Sequence, residues 1–240
     1  MIDSTATNAS HLQMYRRWHQ LAAPYFRWQF EQFQSHIGDR VADIGCGPGN
    51  LTGFLQDREL YLGIDRDPAM LAALSDEYGS AESVTTEVVD VLDPKLTTVL
   101  RENRTDTVLC LNLLEHLDDD VGALANMVAG LPTGGTLGIL VPAIPAIYGT
   151  LDALDDHVRR YRRSGLLYLL ATQPLDILNL RSFNMVGAFG WWWQGKVRKM
   201  PAHADGNYTL MNRLIPLLKP MERLIPPPFG LSLIAIAKKI

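Results

Sequence analysis

Most apolar residues of the chain fall into short runs that alternate with stretches of helical spacing. Seven of these runs predict strands, at residues 41–44, 60–64, 84–89, 107–111, 136–141, 175–182 and 231–237. Helices are predicted at residues 50–57, 68–74, 118–129 and 164–171. Because strands that alternate with helices assemble into parallel sheets covered on both faces, we predict an α/β, Rossmann-like fold with a seven-stranded, mostly parallel sheet.

The pattern changes at two places. Residues 8–36 are rich in aromatic side chains at helical spacings and predict two short amphipathic helices broken at Pro24. We therefore expect an N-terminal helical cap over residues 1–38 and a main domain over residues 39–240. Residues 184–230, before the last strand, are too many for an ordinary connection, so they predict an insertion that serves as a lid or a substrate wall.

Composition and charge narrow the class of protein. With 240 residues and only two cysteines, the chain can bury a core without disulfides, so we expect a reduced, cytoplasmic setting. We expect neither a signal peptide nor a membrane span.

The net charge of -4 is unevenly divided along the chain. Residues 1–150 carry 20 acidic and 9 basic side chains, whereas residues 151–240 carry 6 acidic and 13 basic ones. The basic part of the chain favours an anionic substrate.

The most informative stretch is Asp-Ile-Gly-Cys-Gly-Pro-Gly at residues 43–49, directly after the first strand. Glycines allow a sharp turn from strand to helix and a close approach of the backbone to a ligand. The spacing G-x-G-x-G, preceded by an acid, differs from the G-x-G-x-x-G of dinucleotide enzymes. This stretch resembles motif I of the class I S-adenosylmethionine (SAM) dependent methyltransferases, and the resemblance extends in order over residues 39–141.

The resemblance implies a cofactor site along the carboxyl edge of the sheet. It implies that Asp43 faces the positive groups of SAM, that Asp65 binds the ribose hydroxyls and that Asp90 binds the adenine amino group. Taken singly, Asp65 and Asp90 also fit turn or cap residues. The whole implied set is Asp43, Gly45, Cys46, Gly47, Gly49, Asp65, Arg66, Met70, Asp90, Val91, Asn112 and Leu113, with S-adenosylhomocysteine as the product left by SAM.

Later segments resemble small-molecule methyltransferases. Residues 111–119 are similar to a segment of the ubiquinone-biosynthesis O-methylases, and residues 142–161 resemble uncharacterised bacterial methyltransferases linked with natural-product, lipid or sugar modification. The Asn-Pro-Pro-aromatic tetrad of amino-directed nucleic-acid methyltransferases is absent from the end of the fourth strand. We therefore expect a small-molecule substrate and no nucleic acid.

Two histidines are candidates for the base that takes a proton from a hydroxyl acceptor. His116 follows the fourth strand, and His157 lies in the charged connection after the fifth. Packing beside the cofactor would also explain His116, and a solvated loop would also explain His157. We prefer His157 because it is followed by Arg159, Arg160 and Tyr161.

The sequence predicts no metal site. Glu115, His116 and residues 118–120 could suggest one, but consecutive acids at a helix start also satisfy its free N–H groups and its dipole. We therefore interpret them as helix-start residues.

The substrate side is expected to contain basic and aromatic residues. Guanidinium groups suit a carboxylate or a phosphate, although pairing with nearby aspartates would also explain the arginines. Trp191 to Trp193 cannot share one helix face, so at least one should line a pocket, a lid or an interface, unless all pack within the insertion. The predicted substrate residues are Tyr15, Tyr148, Arg159, Arg160, Tyr161 and Trp192.

Taken together, these features predict an enzyme of biosynthesis, a transferase that moves a methyl group from SAM to a small, partly apolar, anionic molecule. A hydroxyl acceptor is preferred, while nitrogen and carbon acceptors and a non-catalytic SAM-binding regulator stay open. A weak contact with a membrane surface also stays open, because tryptophans and basic residues adjoin in the insertion. The prolines there argue against a long uninterrupted amphipathic helix, and the sequence carries no signal for an oligomeric state.

Overall fold

A computed structural model describes residues 21–202 and 205–240, in which seven strands form one sheet. The strands are β1 (Arg40–Ile44), β2 (Leu60–Asp65), β3 (Val84–Val88), β4 (Thr107–Leu111), β5 (Thr136–Pro142), β6 (Leu175–Phe183) and β7 (Ser232–Lys239). Their order in the sheet is β3-β2-β1-β4-β5-β7-β6. Only β7 runs antiparallel to its neighbours, so the predicted Rossmann-like, mostly parallel sheet is confirmed.

Helices cover both faces of this sheet. They are α1 (residues 21–30), α2 (Thr52–Leu55), α3 (Pro68–Tyr78), α4 (Lys95–Glu102), α5 (Asp120–Gly130), α6 (Thr150–Leu154), α7 (Arg163–Leu170), α8 (Met185–Trp191) and α9 (Asp205–Leu224). A π-helical turn, Trp192–Val197, follows α8. The central strands are buried because apolar side chains from these helices pack on both faces, and all seven residues of β5 are buried.

The N-terminal segment departs from the prediction at Pro24. Residues 21–30 are helical on both sides of this proline, so the expected break there is wrong. Trp28 is fully buried against Phe183 of β6, with ring centroids 4.5 Å apart. This burial of a large aromatic ring stabilises α1 on the sheet.

The insertion between β6 and β7 is mainly helical. Its α9 contains Pro216 and Pro220 within 20 residues, so our expectation that the prolines exclude a long amphipathic helix is wrong. Both prolines lie on the exposed side of α9, while Ile215 and Leu218 are buried. Carbonyl groups that lose an N–H partner to proline can bind water on that side, which lowers the cost of each break.

The insertion also contacts α1. Asn212 donates a hydrogen bond from Nδ2 to the carbonyl oxygen of Leu21 (2.6 Å), and the buried Glu222 accepts from the backbone N–H groups of Asn184 (2.9 Å) and Met185 (2.8 Å). The carboxylate of α9 thus binds free N–H groups at the start of α8. No helix of the described ranges, 21–202 and 205–240, is long and apolar enough to cross a membrane.

Candidate active site

The glycine loop connects β1 to α2 at the carboxyl edge of the sheet. Gly45, Gly47 and Gly49 have φ values of 73°, 54° and 94°, which favour glycine. A Cβ atom on Gly49 would lie 2.7 Å from Thr52 Oγ1, whereas one on Gly47 would meet no atom within 4 Å. Gly49 is therefore needed for the turn, and the open space beside Gly47 allows a ligand to approach the backbone.

Asp43 is buried at the end of β1 and accepts a hydrogen bond from the hydroxyl of Tyr61 (2.9 Å). Burial raises its pKa from 3.8 to about 7, an effect that the Tyr61 contact reduces and the nearby Asp65 increases. A cationic ligand group beside this carboxyl would favour its ionised form.

Asp65 at the end of β2 connects that strand to the glycine loop. Its Oδ2 accepts a hydrogen bond from Gly47 N–H (3.0 Å), and its Oδ1 accepts one from Asp67 N–H (2.9 Å). Burial raises the pKa of this carboxyl, and both backbone hydrogen bonds oppose the rise. The carboxylate thus positions the loop and keeps lone pairs for further donors.

A cavity beside the glycine loop brings together part of the predicted cofactor set. It is lined by Phe26, Gln29, Asp43, Gly45, Cys46, Asn50, Leu51, Leu111 and Asn112. Asn112 has a left-handed φ of 54°, which turns the chain directly after β4. Leu113 packs over Gly45, where an added Cβ would come within 3.0 Å of Leu113 Cδ1.

The other predicted cofactor residues lie on neighbouring elements. Arg66 is exposed after β2, and Met70 is buried in α3. After β3, Asp90 accepts a hydrogen bond from Leu92 N–H (2.9 Å), and Val91 is buried. Within the described ranges, none of these four lines the cavity beside Gly45.

A second group of side chains lies where the connection after β5 meets the end of β4. His157 Nδ1 is 3.1 Å from Asp152 Oδ1, and its Nε2 is 4.0 Å from Glu115 Oε1. The rings of His116 and His157 are in edge contact, with centroids 4.8 Å apart. Both histidines proposed as bases therefore lie in one cluster, which we call the acid–histidine cluster: Glu115, His116, Asp152 and His157.

Glu115 differs from the role that the sequence suggested for it. It lies in a 3-10 turn at Leu114–His116 and is fully buried, and neither carboxylate oxygen has a hydrogen-bond partner among the residues that the structure describes. Burial raises its pKa to about 7, although His157 partly opposes the rise. At the start of α5, only Asp119 caps the helix with its side chain, by accepting from Gly122 N–H (2.8 Å).

His116 is partly buried in the same cluster. Burial, with a smaller effect from His157, lowers its pKa, and a hydrogen bond with the backbone of Asp156 opposes the decrease. Asp156 has a left-handed φ of 57°, and Val158 N–H donates to the carbonyl oxygen of Glu115 (2.8 Å). These contacts fix the loop around His157 against the end of β4.

Arg160 is buried, and its guanidinium contacts groups within the protein. Nε donates to Asp152 Oδ1 (2.6 Å), and Nη1 donates to the carbonyl oxygen of Ala143 (2.7 Å). The Trp191 ring lies 5.1 Å from this guanidinium, and its Nε1 donates to Asp152 Oδ2 (3.0 Å). The insertion thus contacts the cluster through Trp191, while Trp192 is 43% exposed.

The remaining predicted substrate residues surround a surface cavity of about 490 Å³ or contact His157. Arg159 and Tyr161 line the cavity and both bind Asp120 Oδ2, at 2.9 and 2.7 Å, while Arg162 is exposed at its wall. Tyr148 donates to the carbonyl oxygen of His157 (2.6 Å). Tyr15 lies outside the described residues.

Sequence analysis missed several residues of these two sites. Phe26 and Gln29 lie one helical turn apart on α1 and line the cofactor cavity, a spacing that could have predicted a shared face. Asp152 and Trp191 were not predicted to meet. No local pattern connects residues separated by 39 positions, so this contact required the structure.

Comparison with known proteins relates part of this chain to a family and the whole fold to solved structures. Residues 42–137 match the family described as "Methyltransferase domain". A structure of geranyl diphosphate methyltransferase in complex with SAM aligns with 88% of this chain and 84% of its own, with a TM-score of 0.61 and 16% identity. The fold is thus that of a solved methyltransferase structure, and residues 42–137, which include the glycine loop, match a methyltransferase domain.

Relatives by sequence match less than half of this chain. Trans-aconitate 2-methyltransferase of Rhodopseudomonas palustris is 31% identical over 106 residues, which are 43% of this chain and 38% of that protein. The chain thus spans less than half the length of the curated relatives it matches. The [4+2]-cyclase SpnF has the same fold, with a TM-score of 0.59 over 90% of this chain and 81% of its own at 18% identity, so the fold alone does not define the reaction.

Proposed function

We propose that this protein transfers a methyl group from SAM to an oxygen atom of a small, partly apolar, anionic molecule. The acid–histidine cluster is the observation that carries the proposal, because it adjoins the end of β4, at the edge of the sheet where ligands of such folds bind. A hydroxyl group is the preferred acceptor.

The residues beside the glycine loop fit SAM. The backbone near Gly47 is open to a ligand, Asp43 suits the cationic groups of SAM, and Asp65 has free lone pairs for ribose hydroxyls. When bound, SAM supplies an electrophilic methyl group on a sulfonium, so the protein must mainly align the acceptor and exclude water. Phe26 of α1 and Leu113 after β4 provide apolar walls near the loop.

The acid–histidine cluster suits the loss of a proton from the acceptor. Asp152 holds His157 through Nδ1, which leaves Nε2 as the atom that can accept a proton. Glu115 lies 4.0 Å from Nε2 and would stabilise a positive charge on the ring. We therefore retain His157 as the preferred base, with His116 beside it.

The surface cavity at Arg159 suits a partly apolar anion. Arg162 provides positive charge, Arg159 is paired there with Asp120, and Val121, Tyr168 and Leu169 provide apolar surface. The name of the relatives, trans-aconitate 2-methyltransferase, also refers to a small polycarboxylate, which favours an anionic acceptor for this chain.

Labelled SAM and small-molecule extract provide the direct test. We expect a labelled, extractable anionic product, and mild alkali should release label from a methyl ester but not from a methyl ether. Label in protein or nucleic acid instead would contradict the proposed substrate class. Binding of SAM without any labelled product would favour a non-catalytic SAM-binding protein.

Variants then test the two parts of the acceptor site. Arg162→Ala should raise KM for the acceptor several-fold with little change in kcat, whereas Arg58→Ala, which alters an arginine paired with Asp39, serves as the control. His157→Ala should lower kcat by about 10²–10⁴ without changing SAM affinity. Unchanged turnover in His157→Ala would exclude His157 from proton transfer.

A further inference from the structure

The acid–histidine cluster contains an arrangement that proton transfer alone does not explain. One ligand atom each from Glu115, His116 and His157 can be chosen so that all three lie within 4.8 Å of one another. Two imidazoles and one carboxylate form a common ligand set for zinc and for other divalent first-row transition metals. We propose that these three residues bind one divalent transition-metal cation.

The buried carboxylate of Glu115 is an independent observation in favour of a cation. It is fully buried, and neither oxygen has a hydrogen-bond partner in residues 21–202 or 205–240. A buried carboxylate without such partners is costly unless a charge compensates it. The guanidinium of Arg160 directs two of its donors, Nε and Nη1, to Asp152 and Ala143.

The surroundings of both histidines orient them as ligands. His157 Nδ1 is held by Asp152, so Nε2 is the nitrogen left on the Glu115 side. Metal-binding histidines commonly use their second nitrogen in this way, with a carboxylate or a backbone group as partner. The His116 ring is in edge contact with the His157 ring, with centroids 4.8 Å apart.

The ligand atoms of Glu115, His116 and His157 could bind one ion after a small movement toward one another. Ligand atoms about 2.1 Å from a tetrahedral Zn²⁺ lie about 3.4 Å apart, so each pair within the 4.8 Å group must close by about 1.4 Å at most. The His157–Glu115 pair, at 4.0 Å, is too long for a direct hydrogen bond. His157 keeps 10% of its side chain exposed, which leaves access for a cation and for one further ligand.

A cation here would change how the acceptor loses its proton, a consequence that rests on the proposed function. An acceptor hydroxyl bound to the metal would have a lowered pKa and would lose its proton to water, and His157 Nε2 would then serve as a ligand and not as the base. Since one nitrogen cannot do both at once, metal dependence decides between the two roles. The binding site itself can be tested without SAM or acceptor.

The test uses untagged full-length protein that has been stripped by a chelator and titrated with Co²⁺. We expect one equivalent to produce the visible absorption bands of a four-coordinate site with nitrogen and oxygen ligands, and one equivalent of Zn²⁺ to remove them. Glu115→Gln, which preserves shape, should weaken Zn²⁺ affinity at least tenfold, and His116→Ala should do the same. His36→Ala changes a histidine outside the cluster and should leave the affinity unchanged.

Two results would overturn the proposal. One is the absence of a Co²⁺ spectrum in the stripped wild-type protein, which needs no variant to fold. The other is Zn²⁺ binding of equal strength in wild type and Glu115→Gln, which would place the ion elsewhere. If methyl transfer continues unchanged in the stripped protein with chelator present, the proposed function stands while the metal role in it fails.

Discussion

The proposed cofactor side and the proposed acceptor side of this sheet depend on different kinds of interaction. At the ends of β1 and β2, backbone geometry dominates, with three left-handed glycines and a carboxylate that binds loop N–H groups. Beyond β4 and β5, buried ionisable side chains dominate, with Asp152 in contact with His157, Arg160 and Trp191. The glycine loop should therefore tolerate little change in side-chain volume. The buried ionisable groups around Asp152 should tolerate little change in charge.

The largest predicted effect is on the acceptor side. Asp152→Asn should lower the free energy of unfolding by about 3–5 kcal/mol, because it leaves the buried Arg160 without its ionic partner. Urea unfolding followed by tryptophan fluorescence measures this change. Asp39→Asn removes the exposed carboxylate 3.7 Å from Arg58 and should cost less than about 1 kcal/mol. Equal losses would show that the cluster is not the more charge-sensitive region.

The next prediction concerns the space for a Cβ atom in the glycine loop. Gly49→Ala should lower the free energy of unfolding by about 3 kcal/mol, because its φ of 94° strains an L-residue and its Cβ would meet Thr52 Oγ1 at 2.7 Å. Gly47→Ala, with open space at the Cβ, should cost about 1 kcal/mol. Thermal unfolding of both variants without ligand measures the difference. A Gly47→Ala loss as large as that of Gly49→Ala would contradict it.

A third prediction concerns charge on the cofactor side. The pKa of Asp43, raised to about 7, means that the folded protein without ligand holds a proton there below pH 7. Since the ammonium of SAM favours the ionised form, affinity should rise about tenfold per pH unit from pH 5.5 and level off near pH 7. Calorimetry with S-adenosylhomocysteine, which keeps the ammonium, should show this rise, and Asp43→Asn should flatten it.

The raised pKa of Asp43 also makes the free energy of unfolding depend on pH. Between the unfolded pKa of Asp and about pH 7, the folded state binds more protons at Asp43, so its contribution to stability falls as pH rises. Asp43→Asn should remove this slope, although Tyr61 and Asp65 remain nearby. A pH-independent affinity in the wild type would show that Asp43 does not face the ammonium.

The smallest effect compares two neighbouring tryptophans. Trp191→Phe should cost about 1 kcal/mol, because it removes the hydrogen bond to Asp152 Oδ2. Trp193→Phe, at a side chain that is 51% exposed, should change the unfolding free energy by less than about 0.5 kcal/mol. Equal effects would mean that the insertion does not depend on its contact with the cluster.

Sequence analysis located all seven strands. Burial makes β1, β2, β4, β5 and β7 almost continuously apolar, whereas the partly exposed β3 and β6 are shorter on apolar residues. It missed α4, whose buried Leu96, Val99 and Leu100 follow a helical spacing within a polar stretch. It was wrong about the prolines in α1 and α9, since local propensity yields to tertiary packing. Sequence therefore predicted the sheet better than its covering helices.

The sequence also predicted one of the two sites better than the other. The glycine loop could be predicted because its residues are consecutive, and the strand before them fixes its place at the edge of the sheet. The acid–histidine cluster could not, because it joins residues 115 and 116 to residues 152 and 157 through a loop with a left-handed Asp156. Both histidines were predicted individually, but the partners that give them chemical meaning were not.

The position of β7 in the sheet bears on how the protein is made. β7 lies between β5 and β6 and pairs with both, so β6 cannot join the sheet through its neighbour until the ribosome has added residue 239. During synthesis, the exposed edge of β5 is an unpaired template of the kind that other nascent chains can join. The synthesis of residues 184–239 thus separates a chain whose β5 edge is unpaired from one in which β7 covers that edge and pairs with β6.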